Sequence, residues 1–238
     1  MNGDREQILS RINEALRVPA RRPHSHGAPA KTPPPLPAAF GVRATASFRE
    51  WLPKVGESLA DRRALFGKLS EALKTEICDC TNVAAAAARL SAMASEKGWR
   101  KLALHHGELT DAIAAALPPS LELLYADGSL DKNALEACDA GLTECECLVA
   151  QTGSVCMTSR SSGGRALSVL PPHHLVIART SQLEPDLTAA YELLARKYIN
   201  DYPSFITFAT GPSRTGDIER ILVLGAHGPK WVTILLIP

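Results

Sequence analysis

The chain has 238 residues, 45% of them apolar and 21% charged, so it can bury a substantial core and has the composition of an ordinary globular protein. Its 26 basic and 25 acidic residues give a net charge of +1, which argues against a nucleic-acid-binding surface built from an excess of Lys and Arg. No apolar run approaches the roughly 20 residues that span a bilayer, and the charged start of the chain has no secretory apolar region. We therefore expect a cytoplasmic protein without a membrane span.

The first 39 residues predict a helix followed by an extended linker. Ile8, Ile12 and Leu16 recur every four residues among charged ones, which is typical of an amphipathic helix over residues 4–17. Seven prolines in residues 18–39 exclude helix and central strand there. The predicted organisation is an N-terminal helix (1–17), a proline-rich linker (18–39) and an α/β domain (40–238). The helix either packs on its own domain or docks on a partner, and we favour a docking arm.

The next stretch predicts helices that give way to alternating strands and helices. Residues 47–97 have apolar side chains at helical spacing, with Asn82 or Thr81 as an N-cap and Gly98 as a stop signal. Residues 101–106 and 121–126 are short apolar runs on either side of a predicted helix at 107–119. Strand, helix and strand in this order indicate a parallel sheet. A short helix is predicted at 130–137.

Residues 138–209 continue the same pattern. Strands are predicted at 148–150, 155–157, 166–170, 175–178 and 205–209. The turn at 151–154 contains a glycine suited to positive φ, and is either a plain hairpin or part of a site. A helix is predicted at 185–198, and its expected buried face is Leu187, Ala190, Tyr191, Leu194 and Tyr198. The fold class is therefore α/β with a mixed, mostly parallel sheet flanked by helices.

Polar side chains concentrate at residues 210–229, which we call the polar corner. Two Gly-Pro pairs, at 211–212 and 228–229, predict sharp bends beside the apolar runs 221–224 and 231–237. We expect the loop at 213–219 of this corner and the turn at 152–154 to meet at one edge of the sheet and bind a small carboxylate. The predicted ligand-binding residues are Thr152, Gly153, Ser154, Ser213, Arg214, Thr215 and Glu219; the predicted catalytic residues are His227, as proton acceptor, and Asp217, which orients it.

Arg214 is the expected anion ligand, because a guanidinium can hold a carboxylate through two parallel hydrogen bonds. The alternative is that the charged groups of the corner form a network that only stabilises the structure.

The six cysteines predict no metal site. The pairs Cys78/Cys80 and Cys145/Cys147 are separated by one residue, unlike the C-x-x-C pattern of zinc and iron–sulfur sites. We expect small buried side chains instead. The chain also contains no recognisable flavin or nicotinamide loop, so no cofactor is predicted in it.

Five short motifs together resemble the LUD domain as found in the lactate utilisation protein C (YkgG-like) family. They are AGLT at 140–143, QTGS at 151–154, PPHH at 171–174, TGPSRTGDIE at 210–219 and LGAHGP at 224–229. The resemblance covers roughly residues 40–238, and the N-terminal helix and linker also resemble the start of that family. Two departures stand out: Gln151 where the family usually has Glu, and Glu146-Cys147 where it tends to have Asp-Tyr.

The resemblance implies a fold similar to the sugar isomerase, CoA-transferase and formyltetrahydrofolate cyclo-ligase group. It also implies a subunit that works with iron–sulfur partner proteins in oxidising L-lactate to pyruvate, with the clusters in the partners. The alternatives are a stand-alone isomerase or acyl/CoA-transfer enzyme, or a non-catalytic accessory protein. Gln151 cannot do acid/base work, because an amide has no titratable proton near neutral pH.

Overall fold

The computed structural model describes residues 10, 11, 14, 52–126, 131–215, 223–225 and 227–238. The chain divides into two compact units, Met1–Arg49 and Glu50–Pro238. In the first unit, Ser10, Arg11 and Glu14 are helical and exposed. The apolar stripe of the predicted N-terminal helix and the linker at 18–39 lie outside the described residues, so the docking arm stays a prediction.

The second unit alternates helices with strands. Its helices are α1 (Leu59–Ala72), α2 (Val83–Lys97), α3 (Glu108–Ala114), α4 (Lys132–Glu136) and α5 (Leu187–Lys197), with a 3-10 turn at Thr180–Gln182. Its strands are β1 (Thr75–Asp79), β2 (Lys101–Leu104), β3 (Glu122–Tyr125), β4 (Ala140–Thr143), β5 (Cys147–Val149), β6 (Ser154–Thr158), β7 (His173–Arg179), β8 (Leu183–Glu184), β9 (Ile206–Ala209), β10 (Arg214–Thr215), β11 (Val223–Leu224) and β12 (Trp231–Ile237).

Local sequence sets several helix ends. The side chain of Asn82 accepts a hydrogen bond from the amide of Ala85 and so caps α2, whose other end is Gly98 in the left-handed conformation (φ 68°). Asp186 caps α5 in the same way. Ser58 and Asp61 form a reciprocal capping box at the start of α1. These contacts confirm the predicted cap at Asn82 and the predicted stop at Gly98.

Six strands form the main sheet in the order β1-β12-β7-β4-β2-β3, and all five pairings are parallel. A second sheet has the order β8-β5-β6-β9, in which β6 is antiparallel to both of its neighbours. The short strands β10 and β11 form a separate antiparallel pair. The predicted α/β class with a mixed, mostly parallel sheet is confirmed.

The main sheet is covered on both faces, which explains why its strands are nearly continuous apolar runs. Side chains alternate along β12: Leu235 and Ile237 pack with α2 and α3, whereas Ile234 and Leu236 pack with α1 and the second sheet. The far face of the second sheet packs on α5. No helix among the described residues has both the length and the apolar character needed to cross a membrane.

The predicted helical stretch 47–97 is wrong at its centre. Leu73 and Lys74 end α1, with Lys74 at φ 67°, and residues 75–79 form β1 instead. This strand pairs in parallel with β12, from Thr75 opposite Val232 to Asp79 opposite Leu236. Pairing with a strand remote in sequence overrides a local pattern that is too short to separate helix from strand.

The predicted strand at 166–170 is also wrong. The amides of Val169 and Leu170 both donate to the carbonyl of Ala166, which makes this stretch a turn. It is apolar because Leu167 is buried with Leu135 of α4.

The predicted buried face of α5 is too wide. Ala190, Leu194 and Tyr198 are buried as expected, but Leu187 is 37% exposed and Tyr191 is 58% exposed. Tyr191 instead packs beside the ring of Phe208 at 5.3 Å.

Candidate functional site

The turn at 152–154 and the start of the polar corner lie side by side. The pairing of β6 with β9 puts Val155 opposite Ala209, so the residues that flank this pair also meet. The hydroxyl of Ser154 lies 2.7 Å from that of Thr152 and 2.8 Å from that of Thr210. Ser154, the central residue, is only 2% exposed, whereas Thr152 is half-buried and Thr210 is exposed.

Both turns pack on the last turn of α1. Gly153 has φ 64°, as predicted for this glycine, and a Cβ there would lie 3.1 Å from the amide nitrogen of Ser70. A Cβ on Gly211 would lie 2.9 Å from the carbonyl oxygen of Leu73. The two glycines are therefore needed for close approach to the helix backbone as well as for their positive φ.

Arg214 makes a contact that the sequence did not suggest. Its guanidinium donates to the carbonyl of Leu73, at the end of α1. That helix has no basic residue in its own last turn. A cation from the distant strand β10 therefore binds a carbonyl at the helix end and opposes the negative end of the helix dipole. This contact uses one of the five donors of an exposed guanidinium.

The rest of the polar corner is described in part. Ser213 is held by its backbone, which bonds to the carbonyl of Pro229 and the amide of Gly225. The backbone of Thr215 pairs with Val223. His227 is exposed. Asp217 and Glu219 lie outside the described residues, and so does the side chain of Thr215. The roles predicted for the corner residues remain predictions.

Gln151, the departure from the family motif, has a structural contact. Its amide nitrogen donates to the carbonyl of Pro53 at 2.9 Å. A glutamate carboxylate has no hydrogen to donate in this position. In this chain the residue therefore ties the turn to the segment before α1.

A cleft of about 540 Å³ lies at the carboxyl edge of the main sheet, directly after β4. Ligand sites in open parallel sheets usually occupy this edge. The cleft is lined by Glu144, Cys145, Glu146, Arg160, Ser161, Gln182, Lys197 and Tyr198. These residues come from four separate parts of the chain, and none of them was among the residues predicted to bind ligand.

Glu146 is the most buried charged group of the cleft, with a side chain that is 1% exposed. It accepts hydrogen bonds from Lys197 at 2.6 Å, from Tyr198 at 2.5 Å and from Thr158 at 2.8 Å. Burial acts to raise the pKa of Glu146, but these three hydrogen bonds outweigh it and hold the pKa below its ordinary value. Glu146 is therefore ionised at neutral pH.

The partners of Glu146 keep their protons. Burial acts to lower the pKa of Lys197, yet its hydrogen bond with Glu146 prevails and raises that pKa. Burial and the hydrogen bond to Glu146 both raise the pKa of Tyr198. Burial also raises the pKa of the Cys145 thiol far above its usual range. At neutral pH the cleft thus contains a lysinium ion, a phenol and an unreactive thiol.

Glu144 and His105 support the rim of the cleft. One oxygen of Glu144 accepts from the amides of Leu109 and Thr110, at the first turn of α3. The amide of Glu144 donates to Nε2 of His105, whose Nδ1–H faces the carbonyl of His106. Burial lowers the pKa of His105, in keeping with a neutral ring. Burial, hydrogen bonds and a helix end thus fix the backbone that carries Glu146.

Sequence reasoning missed the cleft because its residues are far apart along the chain. The available signals were weak. Glu146 is a charged residue within an apolar run, and Lys197 is a charged residue next to Tyr198, which was predicted to be buried. Neither feature of the sequence indicates that Glu146 and Lys197 pair with each other.

Comparison with known proteins gives one family. The model of the LUD domain matches residues 70–237. Among curated proteins, the lactate utilization protein C of Anoxybacillus flavithermus is 35% identical over 104 residues, or 44% of this chain and 46% of that protein. The protein of the same name from Deinococcus radiodurans is 30% identical over 122 residues, or 51% of this chain and 57% of that protein. The matches thus span about half the length of these relatives.

A solved structure supports the fold. A DUF162 family protein from Deinococcus radiodurans superposes with a TM-score of 0.60 at 20% identity, over 77% of this chain and 100% of that one. At this level of identity the likeness concerns the fold alone.

Proposed function

Since the chain belongs to the LUD domain family, we propose that it acts in lactate utilisation. The observation that carries the proposal is the match to relatives named lactate utilization protein C, at 30–35% identity over about half of each chain. The chain would act in the cytoplasm as a subunit that binds a small carboxylate.

We further propose which component of that system binds the substrate and which components accept the electrons. Iron–sulfur partner proteins would accept the electrons while L-lactate is oxidised to pyruvate, and this chain would hold the hydroxy acid. Oxidation of a hydroxy acid removes two electrons, which must pass to a redox group. The side chains of the cleft and the polar corner contribute charge and hydrogen bonds to such a step.

The alternative of a stand-alone acyl/CoA-transfer enzyme has less support. Such chemistry uses a carboxylate nucleophile. Both oxygens of Glu146 are occupied by donors, and one oxygen of Glu144 is held by the first turn of α3. Neither arrangement favours attack on an acyl group.

Reconstitution tests the proposal directly. The purified chain, the iron–sulfur proteins of a lactate-utilisation system from the same organism, and the mixture are each assayed for pyruvate formation from L-lactate with an artificial electron acceptor. We expect turnover in the mixture and none in the chain alone. Deleting the gene should also abolish growth on L-lactate as sole carbon source. Turnover that is equally fast without this chain, together with normal growth of the deletion strain, would contradict the proposal.

A further inference from the structure

The cleft after β4 has more free hydrogen-bond donors than free acceptors. Both oxygens of Glu146 are engaged: Oε1 accepts from Thr158 and Tyr198, and Oε2 accepts from Lys197. The amide nitrogen of Gln182 donates to the carbonyls of Cys145 and Glu146. The carboxylate of Glu146 and the amide nitrogen of Gln182 are thus already in use.

Two cations of the cleft keep donors available. Lys197 uses one of its three N–H groups on Glu146, and its side chain is 56% exposed. Arg160 forms an ion pair with Asp201 at 2.5 Å, but both side chains are largely exposed, at 48% and 79%. Exposed pairs of this kind contribute little stability, so an incoming carboxylate can compete for the guanidinium.

The hydroxyl of Ser161 is a third free donor. The hydroxyl of Thr158 donates to Glu146, and its oxygen accepts from the amides of Arg160 and Ser161. These bonds use its one hydrogen and both lone pairs. The Ser161 hydroxyl, 3.3 Å away, accepts from the amide of Thr158 and keeps its hydrogen available to a ligand in the cleft that it lines.

The cleft also offers one acceptor. The hydrogen bonds that α3 makes to Glu144 all go to a single oxygen, Oε1. Among the described residues, the other oxygen of Glu144 makes no hydrogen bond. A ligand that combines a carboxylate with a neighbouring hydroxyl matches this set of three donors and one acceptor.

We propose that this cleft is the binding site for a small hydroxy acid. Arg160, Lys197 and Ser161 contact its carboxylate, and Glu144 accepts its hydroxyl. Glu146 is a positioning residue, because it binds Lys197 and is itself held by Tyr198. The choice of lactate as the ligand rests on the proposed function, whereas the location and charge of the site do not. This site is distinct from the polar corner predicted from the sequence.

Isothermal titration calorimetry of the full chain with sodium L-lactate tests the site. We expect one site per chain, with affinity weakened about tenfold or more in Arg160→Ala, because a hydrogen bond between charged groups is lost. Arg160→Lys should show a smaller loss, since it keeps the charge without the planar fork. The matched control is Arg196→Ala on α5, whose side chain is 73% exposed and lies 3.9 Å from Glu192; its affinity should equal that of the unmodified chain. Thermal unfolding confirms that each variant is folded.

Titrations with acetate and inorganic phosphate, and the variant Arg214→Lys, test the ligand class and the location of the site. Acetate should bind more weakly than lactate, because it lacks the hydroxyl, and inorganic phosphate should bind more weakly than either. Tighter binding of phosphate would overturn the assignment to a carboxylate. Lost affinity in Arg214→Lys with none lost in Arg160→Ala would move the site to the polar corner. Equal loss in the Arg160 and Arg196 variants would also refute the site. Binding is measured without partner proteins, so this outcome is separate from that of the reconstitution.

Discussion

The turn at 151–154 carries Gly153 into close contact with α1, and replacing this glycine by alanine should destabilise the protein by about 3 kcal/mol. Adopting the left-handed conformation costs a residue with a Cβ about 1–2 kcal/mol. The new Cβ would also lie 3.1 Å from the amide nitrogen of Ser70 and 3.2 Å from the carbonyl carbon of Leu69. These are backbone atoms that cannot rotate away, and overpacking of this kind costs about 1–3 kcal/mol. The lower entropy of the unfolded chain offsets about 0.4–1 kcal/mol.

Gly98 provides the matched control. It has nearly the same φ, 68°, but a Cβ added there would have nothing within 4 Å. Gly98→Ala therefore incurs only the conformational cost, and its net loss should be about 0.5–1 kcal/mol. Urea unfolding followed by circular dichroism gives both values from the midpoint and slope. Equal losses in the two variants would refute the close packing of the turn on α1.

Three further results are expected. Burial lowers the pKa of His173 to about 4 and that of His174 to about 3 in the folded protein, whereas an unfolded histidine has a pKa of about 6.5. Below pH 6.5 the unfolded state therefore binds more protons, and the free energy of unfolding should fall by up to about 1.4 kcal/mol per pH unit for each ring as the pH decreases. Urea unfolding that is unchanged between pH 7 and 5 would contradict this. The pKa of Glu146 is lower in the folded protein than its unfolded value of about 4.3, so the ionised carboxylate stabilises the fold above pH 4.3, and this stability disappears as the pH falls through the folded pKa. Glu146→Gln should therefore be less stable at pH 7, and its free energy of unfolding should fall less steeply below about pH 4.3. An unchanged pH dependence in this acid range would count against this. Asn82→Ala removes the cap of α2 and should cost about 1 kcal/mol in thermal or urea unfolding, with Asn82→Asp as the variant that keeps the cap and the stability.

Features decided by neighbouring residues could be predicted from the sequence. The cap at Asn82, the stop at Gly98 and the glycine turn at 153 each depend on contacts within a few positions. The parallel pairing of β2 with β3 also followed from a local strand, helix and strand pattern. By contrast, β1 is a strand because β12 pairs with it, from more than 150 residues away in sequence.

In the candidate site, too, contacts between turns could be predicted from the sequence, whereas contacts between distant residues could not. The turn at 152–154 was expected to meet the loop at 213–219, and the structure brings the hydroxyl of Ser154 within 2.8 Å of that of Thr210, which precedes this loop. The cleft could not be foreseen, because Glu146 and Lys197 are 51 positions apart and meet only when α5 packs on the second sheet. The contact of Arg214 could not be predicted either, since nothing in the sequence around this arginine indicates that it donates to a carbonyl at the end of α1.

The position of β12 governs how the main sheet can be assembled. Its seven residues, Trp231–Ile237, lie between β1 and β7 and pair with both. Until they are in place, β1 has no partner among the described strands, and β7 presents an open edge of unpaired backbone N–H and C=O groups. Open edges of this kind recruit other strands and favour aggregation. The same segment that closes the sheet therefore also protects the folding chain from pairing with its neighbours.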